Sequence, residues 1–450
     1  MRKTAIAISF LLFLLSCKRE LVVGKNLDGG NVSSTLYNES PNIILILADD
    51  IGYEVPSYTG GQSYETPNID FMANNGIQFS EARATPLCSP SRVEFYTGKY
   101  NFRNYVDWGT LPASNYTIGN LMKSAGYNTC VSGKWQLDGG DASIHAFGFD
   151  NYLVWNALND NDPNEIVGSH YKNPILYQNG QMQIFSNNEY GEDLLRNYLF
   201  NFIDSAVTNN QKFFGLWTPN LGHSPFQPTP DDPDYLTASP KSSIKYFPSM
   251  IKYLDKEMGL LMSHLDSLGV SDNTYIFFTT DNGTNQSITS TWKGEQIKGG
   301  KGKTFYSWAT HVPFIVYKKN SSIVKVDSSI VDFSDIMATL ADITRQPLPE
   351  NEIFDGVSFW PQIQGLYNAN ARKWSFTEFH PQPLTLPAKW YRWVEDTKYK
   401  RYDSSTVASK KNQFYKVFSD TTEVHPVKTF NKILSTKNQD FQQVLSSMKK

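Results

Sequence analysis

The sequence predicts an α/β protein: a large, mixed, mostly parallel central sheet flanked by helices, followed by a smaller C-terminal antiparallel-sheet α+β subdomain. Three observations carry this. Continuous apolar runs at Asn42–Ala48, Lys212–Trp217 and Thr274–Thr280 have the length and two-sided hydrophobicity of strands covered on both faces. Segments with helical periodicity lie between them, at 117–126, 192–209 and 244–268. From about residue 370 the pattern changes to short alternations of aromatic and polar residues.

The 450 residues exceed one ordinary domain, and a 40% hydrophobic, 14% aromatic composition can build a sizeable core. The net charge of −3 gives no electrostatic case for nucleic acid. With three cysteines a disulfide framework is excluded. Cys130 falls in an apolar stretch and reads as a buried structural residue.

Taken in order, Met1-Arg2-Lys3 and the apolar stretch Ala5 to Leu15 form a charged n-region and a short h-region, too short for a stable membrane span. The leader (1–16) ends Leu14-Leu15-Ser16-Cys17, which resembles a bacterial lipobox. That resemblance implies lipidation of Cys17 and a membrane lipid anchor in the bacterial cell envelope, facing periplasm or cell surface. The alternative is an ordinary secretory signal with a chance cysteine. Residues 17–40 are polar, with Gly29-Gly30, and read as a flexible tether. The main domain is expected over 41–350 and the C-terminal subdomain over 351–450.

The first apolar run ends in Asp49-Asp50, at the strand end where open α/β sheets place their ligands. A short helix, Ile69 to Asn74, is expected before Gly76. In Leu87-Cys88-Ser89-Pro90-Ser91-Arg92, Ser89 can cap a helix and Pro90 suits its first turn, with Gly98 as the stop. Cys88 then sits at the positive end of a helix dipole with Arg92 one turn on, an arrangement that attracts anions. Tyr127 to Val131 reads as a strand running into Gly133-Lys134-Trp135-Gln136. Residues 150–188 lack periodicity and read as an insertion or loop-rich lobe. The second run leads to His223-Ser224-Pro225, and the third ends in Asp281-Asn282-Gly283. Gly302-Lys303-Thr304 is not a P-loop, because Ile297 stands where the motif needs glycine. Strands are expected at 374–379, 391–395, 398–402 and 414–418, with a terminal helix near 427–447.

Three carboxylates and an amide oxygen suit a hard divalent cation, Ca²⁺ or Mg²⁺. No HExxH and no cysteine–histidine cluster supports zinc. A cation with Arg92, Lys134, His223 and Lys301 makes a positive pocket for a tetrahedral anion.

Cys88-Ser89-Pro90-Ser91-Arg92 resembles the C-x-P-S-R signature of the type I, formylglycine-dependent sulfatases, of the alkaline phosphatase-like superfamily. Asp49-Asp50, Tyr64 to Asp70, Gly133-Lys134-Trp135, His223-Ser224-Pro225, Asp281-Asn282-Gly283 and Gly300-Lys301-Gly302 match further family segments in the family's order. The resemblance implies that a separate maturation enzyme oxidises Cys88 to formylglycine, whose hydrate attacks sulfur and is regenerated by elimination. It implies that Asp49, Asp50, Asp281, Asn282 and residue 88 hold calcium. Arg92 and Lys134 would stabilise residue 88. Lys134, His223 and Lys301 would contact the sulfate, and His223 or Lys301 would protonate the leaving alcohol. Gln136 departs from the family, which has histidine there; glutamine hydrogen-bonds but is no base near neutral pH.

The expected function is hydrolysis of sulfate esters of a poly- or oligosaccharide. Aromatic-rich loops at 100–116 and 150–190 offer stacking surfaces for sugar rings. Two readings compete: a phosphatase or phosphonate hydrolase of the same superfamily, and a glycan-binding protein made inactive by Gln136.

Overall fold

The computed structural model describes residues 40–448, apart from 156, 158–169, 238–241, 367–370, 385–389 and 418. The expected leader, the expected lipidation position Cys17 and all of the expected tether but Ser40 lie outside the described residues. No described helix is long and apolar enough to cross a membrane.

The main sheet uses β1 (Asn42–Ala48), β2 (Ile77–Arg83), β3 (Asn128–Lys134), β4 (Asn151–Trp155), β5 (Ile175–Gln178), β6 (Gln181–Ile184), β7 (Phe213–Thr218) and β8 (Thr274–Thr280). A hairpin of β9 (Thr289–Trp292) and β10 (Glu295–Lys298) stands apart. β11 (His311–Val312), β12 (Phe314–Tyr317) and β13 (Lys325–Asp332) return to the main sheet. Its order is β11-β2-β12-β8-β1-β7-β3-β4-β5-β6, with β13 beside β2. The centre, β8-β1-β7-β3-β4, is parallel, and β12, β5 and β6 pair antiparallel.

The period of two in a strand explains why this sheet is buried on both sides. Ile43, Leu45 and Leu47 of β1 join one core, while Ile44, Ile46 and Ala48 join the other. The first core is closed by helices Cys88–Thr97, Ile118–Ser124 and Asp335–Thr344, the second by Pro67–Asn74, Gly191–Thr208 and Phe247–Ser267. Thr117 and Asn120 close a capping box at the start of helix Ile118–Ser124.

Three local expectations need correction. Residues 150–188 are not a loop-rich lobe where described, because β4, β5 and β6 extend the main sheet there. The short third strand runs to Lys134, not Val131, because Ser132 to Lys134 stay in register with β4. Ser89 is not the helix cap. The helix begins at Cys88, and the Ser89 hydroxyl accepts from the Gly109 amide at 2.8 Å. Gly98 does stop this helix, in the left-handed conformation that glycine tolerates.

From Ser40 onward the chain forms one compact unit. Its last part is a second sheet, β14 (Ser375–Phe379), β15 (Tyr391–Glu395), β16 (Lys400–Tyr402) and β17 (Phe414–Tyr415), antiparallel throughout, with helix Lys432–Ser447. Leu434, Phe441 and Leu445 of that helix pack with Phe376, Val394 and Phe414. Tyr402, Trp393 and Phe379 gather Leu87 and Phe305 against them. The second sheet thereby braces the segments that carry Cys88 and Lys301.

Candidate active site

The parallel strands point their carboxyl ends to one side of the sheet, and the polar residues that end them meet there. β1 delivers Asp49 and Asp50, with Asp50 in the left-handed region at φ 57°. β8 delivers Asp281 and Asn282 in register with β1, and the Asp281 amide donates to the Ala48 carbonyl at 3.0 Å. β3 ends in Gly133-Lys134 between β7 and β4. Gly133 sits at φ +122°, and a Cβ there would lie 2.1 Å from the Thr218 carbonyl oxygen. Only glycine lets β3 approach β7 so closely and still aim Lys134 at the site. The Lys301 amide donates to Thr284 and that of Gly302 to Pro86, which ties this turn to both the Asp281 and Cys88 segments.

Each carboxylate has one close cation, and Asp49 Oδ1 also has Arg92 Nη2 at 3.9 Å. Lys134 Nζ lies 2.7 Å from Asp49 Oδ2, Lys301 Nζ 2.6 Å from Asp50 Oδ2, and Arg92 Nη2 2.9 Å from Asp281 Oδ2. Arg92 Nε also donates to Asp281 Oδ2 at 3.1 Å, and Nη1 donates to the Lys134 carbonyl at 2.9 Å. Asn282 Nδ2 donates to Asp50 Oδ1 at 2.8 Å. His223 Nε2 is 4.0 Å from Asp50 Oδ2, and Cys88 Sγ is 3.9 Å from Asp50 Oδ1. Asp49, Asp50, Asp281, Asn282, Cys88 and Arg92 are fully buried.

Burial and charge act against each other on these groups. Burial alone would raise Asp49, but Lys134, His223, Arg92 and Lys301 together hold it far below the usual carboxylate range. Burial and the neighbouring Asp49 carboxylate push Asp281 up to about 7 despite Arg92. Burial pushes the Cys88 thiol up to about 12, against the pull of Lys134 and Lys301. In the metal-free protein the helix start therefore does not outweigh burial, and the Cys88 thiol is held neutral.

Ligand atoms of Asp49, Asp50, Cys88 and His223 all lie within 4.8 Å of one another. Asp49 Oδ1 and Asn282 Oδ1 are buried without a hydrogen-bond partner. Oxygen acceptors left unpaired beside such a cluster fit a hard divalent cation. Of the ligand set expected from the sequence, Asp49, Asp50 and Cys88 come together in this cluster, and Asn282 offers its free oxygen. Asp281 is occupied otherwise: Arg92 takes Oδ2, and the Asp50 amide donates to Oδ1 at 3.2 Å. His223, expected on the sulfate and as a candidate proton donor, also joins the cluster.

Gln136 is buried two residues beyond Lys134, at φ 58°, with its Oε1 unpaired. Two residues near the site escaped the sequence reading. Trp155 ends β4 in register with Lys134, and its ring lies 6.0 Å from Lys134 Nζ. His170 packs on Trp155 and faces His223. Both sit in the stretch read as loop, where no periodicity marks them. His311 stacks on Tyr53 and bonds the Ser80 carbonyl through Nε2 at 2.9 Å.

The Sulfatase family profile matches residues 41–346. The chain belongs to the sulfatase family. It is 28% identical over 364 residues to an N-acetylgalactosamine-6-sulfatase of Rattus norvegicus, covering 73% of this chain and 66% of that protein. An N-acetylgalactosamine-6-O-sulfatase of Bacteroides thetaiotaomicron is 29% identical over 394 residues, 70% of this chain and 74% of the relative. The crystal structure of Ps i-CgsB superposes with a TM-score of 0.72 at 25% identity, over 90% of this chain and 94% of that one. This sulfatase-family chain thus spans just under two thirds of the rat relative's length.

Proposed function

We propose that the protein hydrolyses sulfate esters of a poly- or oligosaccharide, R–O–SO₃⁻ + H₂O → R–OH + HSO₄⁻, at residue 88. The observation that carries this is the meeting of Cys88, Asp49, Asp50 and His223 within 4.8 Å, walled by Lys134 and Lys301. Conversion of Cys88 to formylglycine supplies, as the aldehyde hydrate, an oxygen nucleophile for sulfur. The converted residue is what the buried neutral thiol is not.

Asp49, Asp50, Asn282 and residue 88 would hold calcium, and Asp281, also expected among the ligands, would have to share its oxygens with Arg92 and the Asp50 amide. Bound calcium supplies Lewis-acid charge for the nucleophile and the sulfate oxygens. Three cations (Arg92, Lys134, Lys301) balance three carboxylates (Asp49, Asp50, Asp281). A divalent ion would leave the pocket with two positive charges in surplus, which favours a sulfate ester over a neutral ligand. Lys134 and Lys301, whose partners would then face the metal, are freed to hold the sulfate oxygens with His223. Arg92 keeps Asp281 and the Lys134 backbone in place and orients residue 88. His223 or Lys301 protonates the leaving alcohol. Gln136, whose Oε1 is free, would accept a hydrogen bond in the occupied site without acting as a base.

The two curated relatives are named for 6-sulfated N-acetylgalactosamine. That class of sugar heads the candidate substrates. We further propose that 41–350 acts as the catalytic domain and 351–450 as a subdomain bracing it. The leader and Cys17 would place the enzyme on the bacterial envelope by a lipid anchor, after maturation by a formylglycine-generating enzyme. The test is release of free sulfate and free phosphate from a panel of sulfated and phosphorylated saccharides, with Ca²⁺ and with residue 88 conversion verified by mass spectrometry. Sulfate release is expected. Phosphate alone would move the protein to the phosphatase reading, and neither ion to the binding-protein reading.

A further inference from the structure

His170 has no role in the reaction just described, yet it is built into the site wall. It is 3% exposed, and its Nε2 has no hydrogen-bond partner. Its ring lies 4.3 Å from that of Trp155, 4.2 Å from Tyr171 and 5.9 Å from His223. All three neighbours are tied to site elements. Trp155 sits opposite Lys134 on the adjacent strand. The Tyr171 hydroxyl is 2.6 Å from the Asn220 carbonyl and 2.8 Å from that of His223, so it pins the loop that carries His223.

His223 Nδ1 is also buried and unpaired. Two adjoining imidazoles, each with an orphaned ring nitrogen, are unusual, because buried polar atoms are almost always satisfied. A packing role explains the ring of His170 but not its nitrogen: phenylalanine would fill the same space with no polar atom to bury. A ligand group entering beside the two rings explains the nitrogen. A neutral imidazole offers one donor and one acceptor, as a hydroxyl does, whereas sulfate oxygens only accept. The lysines suit the sulfate; the histidine suits an uncharged group next to it.

We propose that His170 is a further substrate-binding residue, whose Nε2 hydrogen-bonds a hydroxyl of the sugar ring that carries the sulfate ester. This rests on the sulfatase reading above. It makes His170 a determinant of which sugar is accepted, since a site built to bond a hydroxyl discriminates against a substrate that lacks it there.

The test compares matured full-length wild-type protein with His170→Phe and His170→Gln. The probes are N-acetylgalactosamine 6-sulfate and any other sulfated monosaccharide that the wild type desulfates. Phe keeps the aromatic packing between Trp155 and Tyr171 and loses the nitrogen; Gln keeps a hydrogen-bonding group and loses the ring. The proposal expects His170→Phe to lower kcat/KM by about tenfold or more with its Tm unchanged, and Gln to retain more activity than Phe. A packing role predicts the reverse order. Phe equal to or better than Gln overturns the proposal, and so does a Phe variant whose Tm falls along with its activity. A wild type that releases no sulfate from any probe sinks the sulfatase reading itself and this proposal with it, which is a different result from an active wild type with the wrong order of variants.

Discussion

Arg92→Lys keeps the charge at position 92 and removes the fork. In the native site the guanidinium donates twice to Asp281 Oδ2 and once to the Lys134 carbonyl. A lysine ammonium is a single point and can replace one of these three bonds from the same backbone position. Two charge-assisted bonds are lost, each contributing about 1.5–3 kcal/mol, so the variant should be destabilised by about 3–6 kcal/mol. An unfolding entropy of roughly 2.1 cal/mol/K per residue gives about 0.9 kcal/mol/K for a chain of this size, so Tm should fall by about 3–7 °C. Arg92→Met should do no better, because it leaves a buried carboxylate without a partner at a cost of about 3–5 kcal/mol. Differential scanning calorimetry of the three proteins in chelator reads this directly. A lysine variant within about 1 °C of wild type would refute the reasoning, since the fork would then contribute nothing.

Three more outcomes follow from the same geometry. Glu54 is buried, and burial pushes its carboxyl up to about 7, only partly offset by Thr284. Its neutral form is the one the fold favours, so its share of stability is full below about pH 4.5 and is lost as pH rises to about 7, roughly 3 kcal/mol in all. Glu54→Gln stays neutral, and its Tm should gain on the wild type across that window; a constant difference would contradict this. Chelation should abolish sulfate release and lower Tm, with Ca²⁺ restoring both better than Mg²⁺ and Zn²⁺ restoring neither; unchanged activity in chelator would remove the metal from the account. Gln136→Ala should lower steady-state turnover several-fold, about one lost hydrogen bond's worth, whereas unchanged turnover would make the position irrelevant.

The fold was legible where a strand is buried on both faces. Asn42–Ala48 and Thr274–Thr280 each read as a continuous apolar run because neither face meets water, and the residues after them are polar because the sheet ends there. β4 to β6 were not legible. β4 is an interior strand whose apolar run, Tyr152 to Trp155, is only four residues long beside a polar stretch, whereas β6 is the edge strand, where Gln181–Ile184 is mostly exposed and carries no apolar run. The start of the helix at Cys88 was missed for a local reason: Ser89 has the chemistry of a cap but spends its hydroxyl on Gly109, a contact set by tertiary structure. At the site, motif residues could be named singly from the sequence, whereas their pairing could not. That Arg92 would claim Asp281 and leave Asn282 Oδ1 free depends on which side chains face each other across β1 and β8. His170 had no signal at all, since a lone histidine in a stretch without periodicity looks like surface.

The central claim is that residue 88 is the nucleophile only after oxidation. It is tested most directly by preparing the protein at several degrees of Cys88 conversion, measured by intact and peptide mass spectrometry, and recording sulfate released from a sulfated saccharide substrate at each. The account predicts turnover proportional to the converted fraction, extrapolating to zero for unconverted Cys88 and for Cys88→Ala. Turnover independent of conversion, or retained in Cys88→Ala, would contradict it.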